Sequence, residues 1–271
     1  MTSEPPAAAP VLDFDRIIHD FPRPQGGGRL RVLDGVSLEM RRRQFTAVVG
    51  PSGCGKSTLL QMAAGFLRPT GGTVRQQGMP VTALNRAVGL VPQQAQLLPW
   101  KTLRENVALP LLLRQVAAGE RARRVAETIA AVGLAGFEEH YPYQLSGGMQ
   151  KRASIARTLV YAPDVVLMDE PFGALDAQTR MVMQNDLQSL WLQQGSTILF
   201  VTHDLTEAIL LADNVVLLSR SPTRVKADVA IALPRPRNVF QPFHNPGFAE
   251  TYDSVWSIFQ SEIVPEAAAG R

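Results

Sequence analysis

A single cysteine, Cys54, excludes any intramolecular disulfide in this chain of 271 residues. No uninterrupted apolar run reaches the roughly 18 residues that a membrane-crossing helix needs. The opening residues Met1-Thr2-Ser3-Glu4-Pro5-Pro6 lack the basic segment and apolar stretch of a secretory leader, so a cytosolic location is expected. Charge is nearly balanced, at +3. Clusters such as Arg41-Arg42-Arg43 and Arg121-Ala122-Arg123-Arg124 read as solvated surface, and no nucleic-acid-binding motif accompanies them. No internal repeat is visible. What is abundant is apolar character: 45% of residues are hydrophobic, enough for the core of one large domain, alone or with a small appendage.

The first chemistry-bearing segment is Gly50-Pro51-Ser52-Gly53-Cys54-Gly55-Lys56-Ser57-Thr58. It follows a β-favouring run, Phe45 to Val49, and precedes a helical pattern over 57–64. Glycines let the backbone turn so that successive N–H groups face phosphate oxygens, and the helix start adds a favourable dipole. In such a loop Lys56 reaches the β- and γ-phosphates, and the Ser57 hydroxyl is a Mg²⁺ ligand. Cys54 occupies a spacer position. It reads as a small tolerated residue or, if the neighbouring helix start lowers its thiol pKa, as an alkylatable side chain.

Asp169 and Glu170 follow the apolar run 165–168, and His203 follows the run 197–201. Continuously apolar strands of this kind predict a parallel sheet covered on both faces, with ligands at the strands' carboxyl ends. Those ends are where the three polar groups fall. Further along, Ser146 is placed to cap a helix beginning near Gly147.

The phosphate loop together with Leu145-Ser146-Gly147-Gly148-Met149-Gln150 resembles the ATP-binding cassette (ABC) family, and the matching elements run in family order over roughly residues 11–220. The resemblance implies an α/β fold: a P-loop NTPase core with a mostly parallel sheet, an N-terminal antiparallel β layer, and a helical subdomain carrying the LSGG signature. It implies ATP and Mg²⁺ as cofactors. Phe21 matches the ring that stacks on adenine. Asp169 matches the Mg²⁺-binding acid, and Glu170 the carboxylate that polarises the attacking water. His203 matches the switch histidine at the γ-phosphate, and Gln93 the glutamine that touches Mg²⁺ and water. Ser146, Gly147, Gly148 and Asp176 match groups that serve ATP held by the opposite subunit. Pro171-Phe172-Gly173-Ala174-Leu175-Asp176 and Leu97-Leu98-Pro99-Trp100 are similar to the importer branch serving nitrate, sulfonate and taurine. The latter patch reads as core, or as the wall of a groove for a partner helix.

The expected organisation is a loose segment over 1–10, an ATPase domain over 11–221 with its helical subdomain at about 95–160, and an extension over 222–271. Residues 11–49 read as a small β layer broken by a turn at 22–28, and 101–137 as helical, with Val125, Ile129 and Val132 on one face and Gly133 as a stop. The expected partners are a second cassette, as a homodimer or with another chain, and membrane permease subunits. An extracytoplasmic solute-binding protein is an indirect partner, and the chain is peripheral on the cytoplasmic face of the membrane. A soluble ABC ATPase of DNA repair, translation or Fe–S assembly is the alternative. A non-catalytic binder would lack Glu170 or Lys56, and both are present.

Overall fold

The computed structural model describes residues 9–23, 27–173 and 175–263. Most of the loose N-terminal segment, part of the 22–28 turn, Ala174 and the last residues of the extension therefore lie outside the described residues.

Two sheets form the frame. In the first, Leu12–Pro22 (β1) pairs antiparallel with Arg29–Met40 (β2) and with Gly71–Gln76 (β4), which continues to the short strand Met79–Pro80 (β5). The second contains Phe45–Val49 (β3), Val88–Val91 (β6), Val165–Asp169 (β7), Thr197–Thr202 (β8), Asn214–Leu218 (β9) and Val225–Ala230 (β10), in the order β10-β9-β3-β8-β7-β6. All its pairs are parallel except β9 with β10. The last part of the 11–49 stretch is thus a correction: β3 belongs to this second sheet. All five of its residues are buried, whereas β2 ends in an alternation of buried and exposed positions.

Helix Lys56–Ala63 (α1) follows β3 and packs between the sheets. Alternate residues of the central strands then serve two cores. Val165, Leu167, Leu199 and Val201 face α1 and the antiparallel sheet. Val166, Met168, Ile198 and Phe200 face the other side, covered by Gly147–Leu159 (α4), Ala177–Gln194 (α5), Leu205–Leu211 (α6) and Phe248–Ile263 (α7). The unbroken apolar runs of β7 and β8 follow from that double burial.

The expected single helical run over 101–137 is two helices, Leu103–Leu113 (α2) and Ala118–Ala131 (α3). Helix α2 starts at a reciprocal cap in which Thr102 Oγ1 accepts from Glu105 N–H and Glu105 Oε2 from Thr102 N–H, at 3.3 and 2.8 Å. It ends where Gln115 takes a left-handed backbone, φ 57°. No glycine marks that turn. Leu103, Val107 and Leu111 from α2 and Val125 and Ile129 from α3 enter one core with α4.

The chain beyond residue 221 packs onto the ATPase sheet. β10 is its edge strand, and Phe248, Val255 and Phe259 of the α7 segment are buried in the same core as α6. Arg237 is 2% exposed and donates to the carbonyls of Ile209 and Ala212, both at 2.6 Å.

Candidate functional site

The phosphate loop takes the conformation its glycines permit. Gly53 and Gly55 have φ of 78° and 102°, and a Cβ on Gly55 would lie 2.8 Å from Leu33 Cδ2. Gly55 is also the N-cap of α1, and no side chain caps that helix start. The first N–H groups of α1 and its dipole are therefore free for an anion. Lys56 is 5% exposed, and its Nζ donates to the carbonyls of Gly50 and Pro51 at 2.8 and 3.0 Å. The same ammonium lies 3.9 Å from Glu170 Oε1. Pro51, Ser52 and Thr58 complete the loop and the first turn of α1.

Around that ammonium the strand ends converge. Ser57 Oγ donates to Asp169 Oδ1 at 3.0 Å. Burial pushes the Asp169 carboxyl above its usual range, opposed chiefly by the Ser57 hydrogen bond, with Lys56 and Lys151 adding favourable charge. A cation at Asp169 would offset that desolvation. Glu170 follows at φ 39°, a left-handed backbone that is uncommon for a residue with a side chain. Its Oε2 is 3.1 Å from His203 Nδ1. Lys56, Ser57, Asp169, Glu170 and His203 are thus assembled at one edge of the parallel sheet.

The donor set suits the expected ligands. A hydroxyl beside a carboxylate is hard-oxygen chemistry appropriate to Mg²⁺, which takes few protein ligands and completes its shell with phosphates and water. Among the described residues no three His, Cys, Asp or Glu converge as a self-sufficient metal cluster.

Other expected positions lie elsewhere. The Gln93 side chain is exposed and has no hydrogen bond among the described residues, while its carbonyl accepts from Lys151 Nζ at 2.9 Å. Phe21 is partly buried, its ring edge-on to His19 with centroids 4.5 Å apart. Ser146 caps α4, accepting from Met149 N–H at 3.3 Å, and Asp176 caps α5, accepting from Thr179 N–H at 3.0 Å. That cap holds the Asp176 carboxyl below its usual range. These two helix starts are neighbours, since a Cβ on Gly148 would lie 3.0 Å from Thr179 Cγ2. A Cβ on Gly147, which opens α4, would have nothing within 4 Å, so this glycine leaves the backbone approachable.

Two positions had alternative readings. Cys54 is 2% exposed, and burial raises its thiol pKa, outweighing the nearby Lys56 and backbone N–H groups that lower it. Of the two readings the small, tolerated spacer residue fits, and the acidified thiol does not. The 97–100 segment divides between the two readings: Leu97 packs on the core, Leu98 is bound at both its N–H and its carbonyl by the buried Asn106, and Trp100 is 70% exposed. An apolar groove of about 620 Å³ does exist, between the end of α1 and α2, with Phe66, Leu84, Leu109, Leu113, Arg157 and Tyr161 among its walls.

Sequence reasoning passed over Lys151 and Glu207. Lys151 is 5% exposed and had one signal, its i+4 and i+8 spacing to the buried Ile155 and Leu159. Glu207 accepts from Thr202 Oγ1 at 2.7 Å and from Gln184 Nε2 at 3.0 Å, joining α5 to the strand end that carries His203.

A strand, a glycine-rich loop and a helix start, with acids at the ends of adjacent parallel strands, define a nucleoside-triphosphate-hydrolysing core. The family profile described as ABC transporter matches residues 33–173. The chain is 49% identical over 212 residues to an uncharacterised ABC transporter ATP-binding protein of Methanocaldococcus jannaschii, covering 78% of this chain and 79% of that one. It is 44% identical over 210 residues to the aliphatic sulfonates import ATP-binding protein SsuB of Pseudomonas fluorescens, covering 78% and 75%. Among solved structures, a dimeric ATP-binding cassette in a post-hydrolysis state bound to ADP and Pi superposes with a TM-score of 0.72 at 30% identity, covering 81% of this chain and 98% of that one. The chain belongs to the ABC transporter family and is one of its ATP-binding, ATP-hydrolysing subunits.

Proposed function

We propose that this ATPase powers a membrane importer of a small solute such as nitrate, a sulfonate or taurine, by closing head to tail with a second copy over two ATP molecules. The observation that carries the reading is the coexistence, in one chain, of two anion-ready helix starts of different kinds. One is the uncapped start of α1, in a loop with its own lysine and strand-end acids. The other is the start of α4, which has no lysine or acid in its first turn and lies beside the Asp176 cap. The second suits a phosphate held by another subunit. The dimeric cassette similar to this chain supports that pairing, and the similarity to the sulfonate importer subunit supports the solute class.

In this mechanism Lys56 exchanges its loop carbonyls for phosphate oxygens, and Ser57 and Asp169 would hold Mg²⁺. The ion supplies neutralisation of phosphate charge. Glu170 orients the attacking water and begins to take its proton. His203, through its contact with Glu170 Oε2, fixes the direction of that carboxylate. Phe21 stacks on the base. The apolar groove receives a permease helix: Phe66 and Leu113 are 63% and 75% exposed there.

The test is copurification from membranes in mild detergent, followed by mass spectrometry. The intact chain recovers a polytopic membrane protein in near-equal amount. Phe66→Glu with Leu113→Glu loses that protein yet binds ATP normally, whereas Lys56→Ala loses ATP. Recovery only with ribosomes or nucleic acid refutes the importer and leaves the ATP chemistry standing.

A further inference from the structure

Lys151 is the buried cation that the proposed mechanism leaves unused. It lies in the second turn of α4, and its Nζ donates to the carbonyls of Pro92 and Gln93 at 2.6 and 2.9 Å. Those carbonyls belong to the loop leaving β6. It forms no ion pair among the described residues. Burying an ammonium that is held only by neutral acceptors is costly, and a methionine would fill the same space without that cost. The cost implies that the link itself has a use.

The position of the link suggests what that use is. Helix α4 meets the β6 side at a second point, where the Thr158 hydroxyl is shared between the carbonyls of Leu90 on β6 and Ser154 of its own helix, at 3.2 and 3.1 Å. The two ties are seven residues apart, on one face of the helix. The inner tie holds α4 to a strand of the rigid sheet. The outer one, Lys151, holds it to the loop that carries Gln93. Just before Lys151, Gln150 Nε2 donates to the carbonyls of Pro142 and Leu145, at 2.9 and 3.1 Å, which fixes the approach to the helix start. Helix α4 is thereby built as a lever: its inner end is anchored on β6, its outer end follows the Gln93 loop, and Ser146 sits at the tip.

We propose that Lys151 is a positioning residue that couples the Gln93 loop of one nucleotide site to the Ser146 helix start serving the other. Movement of that loop turns the start of α4, so each site's occupancy reaches the site across the dimer through this ammonium. The inference rests on the two-copy reading above and adds to it the residue that transmits the signal. Lys151 also lends favourable charge to Asp169, so its effect on closure is whatever exceeds its effect on the affinity of a single subunit for Mg-ATP.

The experiment compares Lys151→Met and Lys151→Arg in full-length chains, each alone and with Glu170→Gln. It reads the melting temperature, the affinity of the monomer for a fluorescent ATP analogue, and the Mg-ATP concentration giving half-maximal dimer on gel filtration. Lys151→Met should raise the ATP concentration needed for dimer at least tenfold beyond any change in monomer affinity. Lys151→Arg, which retains charge and donors, should return to within about threefold of the parent. Equal dimerisation of Lys151→Met and parent overturns the proposal. So does a parallel loss of melting temperature and monomer affinity that arginine does not rescue, since that pattern belongs to a residue that only supports the fold. If Glu170→Gln by itself forms no dimer with Mg-ATP, the two-copy reading fails and this inference fails with it. A dimer in the parent but not in Lys151→Met separates the two cases.

Discussion

Replacing Arg237 by methionine tests how firmly the chain beyond residue 221 is built into the ATPase. The guanidinium makes two short bonds, to Ile209 and Ala212 at 2.6 Å, and three long ones at 3.2–3.4 Å, to the carbonyls of Ile231 and Leu233. Ile209 lies in the last turn of α6 and Ala212 is its C-cap, where a cation is favoured by the helix dipole. Charge-assisted bonds are worth about 1.5–3 kcal/mol each, so the two short ones set the gross loss near 3–6 kcal/mol. Against this stands desolvation: with no carboxylate in contact, burial lowers the guanidinium's pKa to about 10, and methionine escapes that cost. The carbonyls left behind remain buried and short of donors, so the loss prevails and the net is about 3 kcal/mol.

For a chain of this size each kcal/mol moves the midpoint by about 2–4 °C, giving a fall of roughly 6–12 °C. The backbone bonds between Arg237 and Gln188, both 2.8 Å, survive the substitution. The loosening should therefore concentrate in α6 and not in α5. Calorimetry measures the first quantity and amide exchange over 205–211 the second. A midpoint within about 2 °C of the parent, or above it, would show that desolvation cancels the bonds and that the reasoning is wrong.

Three further outcomes follow. Burial holds the Glu207 carboxyl above its ordinary value, so the folded chain retains a proton that the unfolded chain releases, and the stability this contributes is lost as pH rises through the folded-state pKa. Glu207→Gln should flatten the fall in urea midpoint as pH rises from about 4.5; parallel curves for variant and parent would count against it. Cys54 should react with a maleimide more than about a hundredfold faster in urea than in the folded chain, because labelling needs local opening; comparable rates would contradict the buried thiol. Gly89→Ala places a methyl 2.6 Å from Thr158 Cγ2 and 2.9 Å from Pro163 Cγ, so it should destabilise by about 1–3 kcal/mol in thermal melts, and an unchanged midpoint would mean the backbone yields freely.

The parts of the site that were legible in the sequence are those whose chemistry is local. Glycine, lysine and serine in a fixed order dictate a phosphate loop, and unbroken apolar runs place Asp169, Glu170 and His203 at strand ends. The break between α2 and α3 was hidden because its left-handed residue is Gln115, not glycine, with the geometry imposed by packing on α4. β10 was hidden because an edge strand alternates partly buried and exposed positions and so lacks the apolar run that marks β7 and β8. Lys151 was hidden because a lysine in a helix reads as solvent-facing until the loop it holds is known. Cys54 stayed open between two readings because its distance from a helix start is sequence-local while its burial is not.

Even the most legible motif depends on distant parts of the chain. Two residues of the phosphate loop, Gly53 and Gly55, hold backbones that most side chains would resist, and the sequence shows only that glycine permits this. What selects the conformation is non-local. Leu33 of β2 packs where a Cβ on Gly55 would sit, and a Cβ on Gly50 would meet Cys54 Sγ at 2.8 Å and Leu218, at the end of β9, at 3.1 Å. Thr223, fully buried, donates to the carbonyl of Cys54 and is itself held by Val32 and Asp34. Arg224 pairs with Asp34 beside it. The freedom that three glycines give the unfolded chain has to be removed by contacts, and these come from both sheets and from a segment two residues past the boundary expected at 221. The loop's readiness for phosphate is thus a tertiary property, and Thr223 belongs to the nucleotide site as its brace although it lies 169 residues from Cys54.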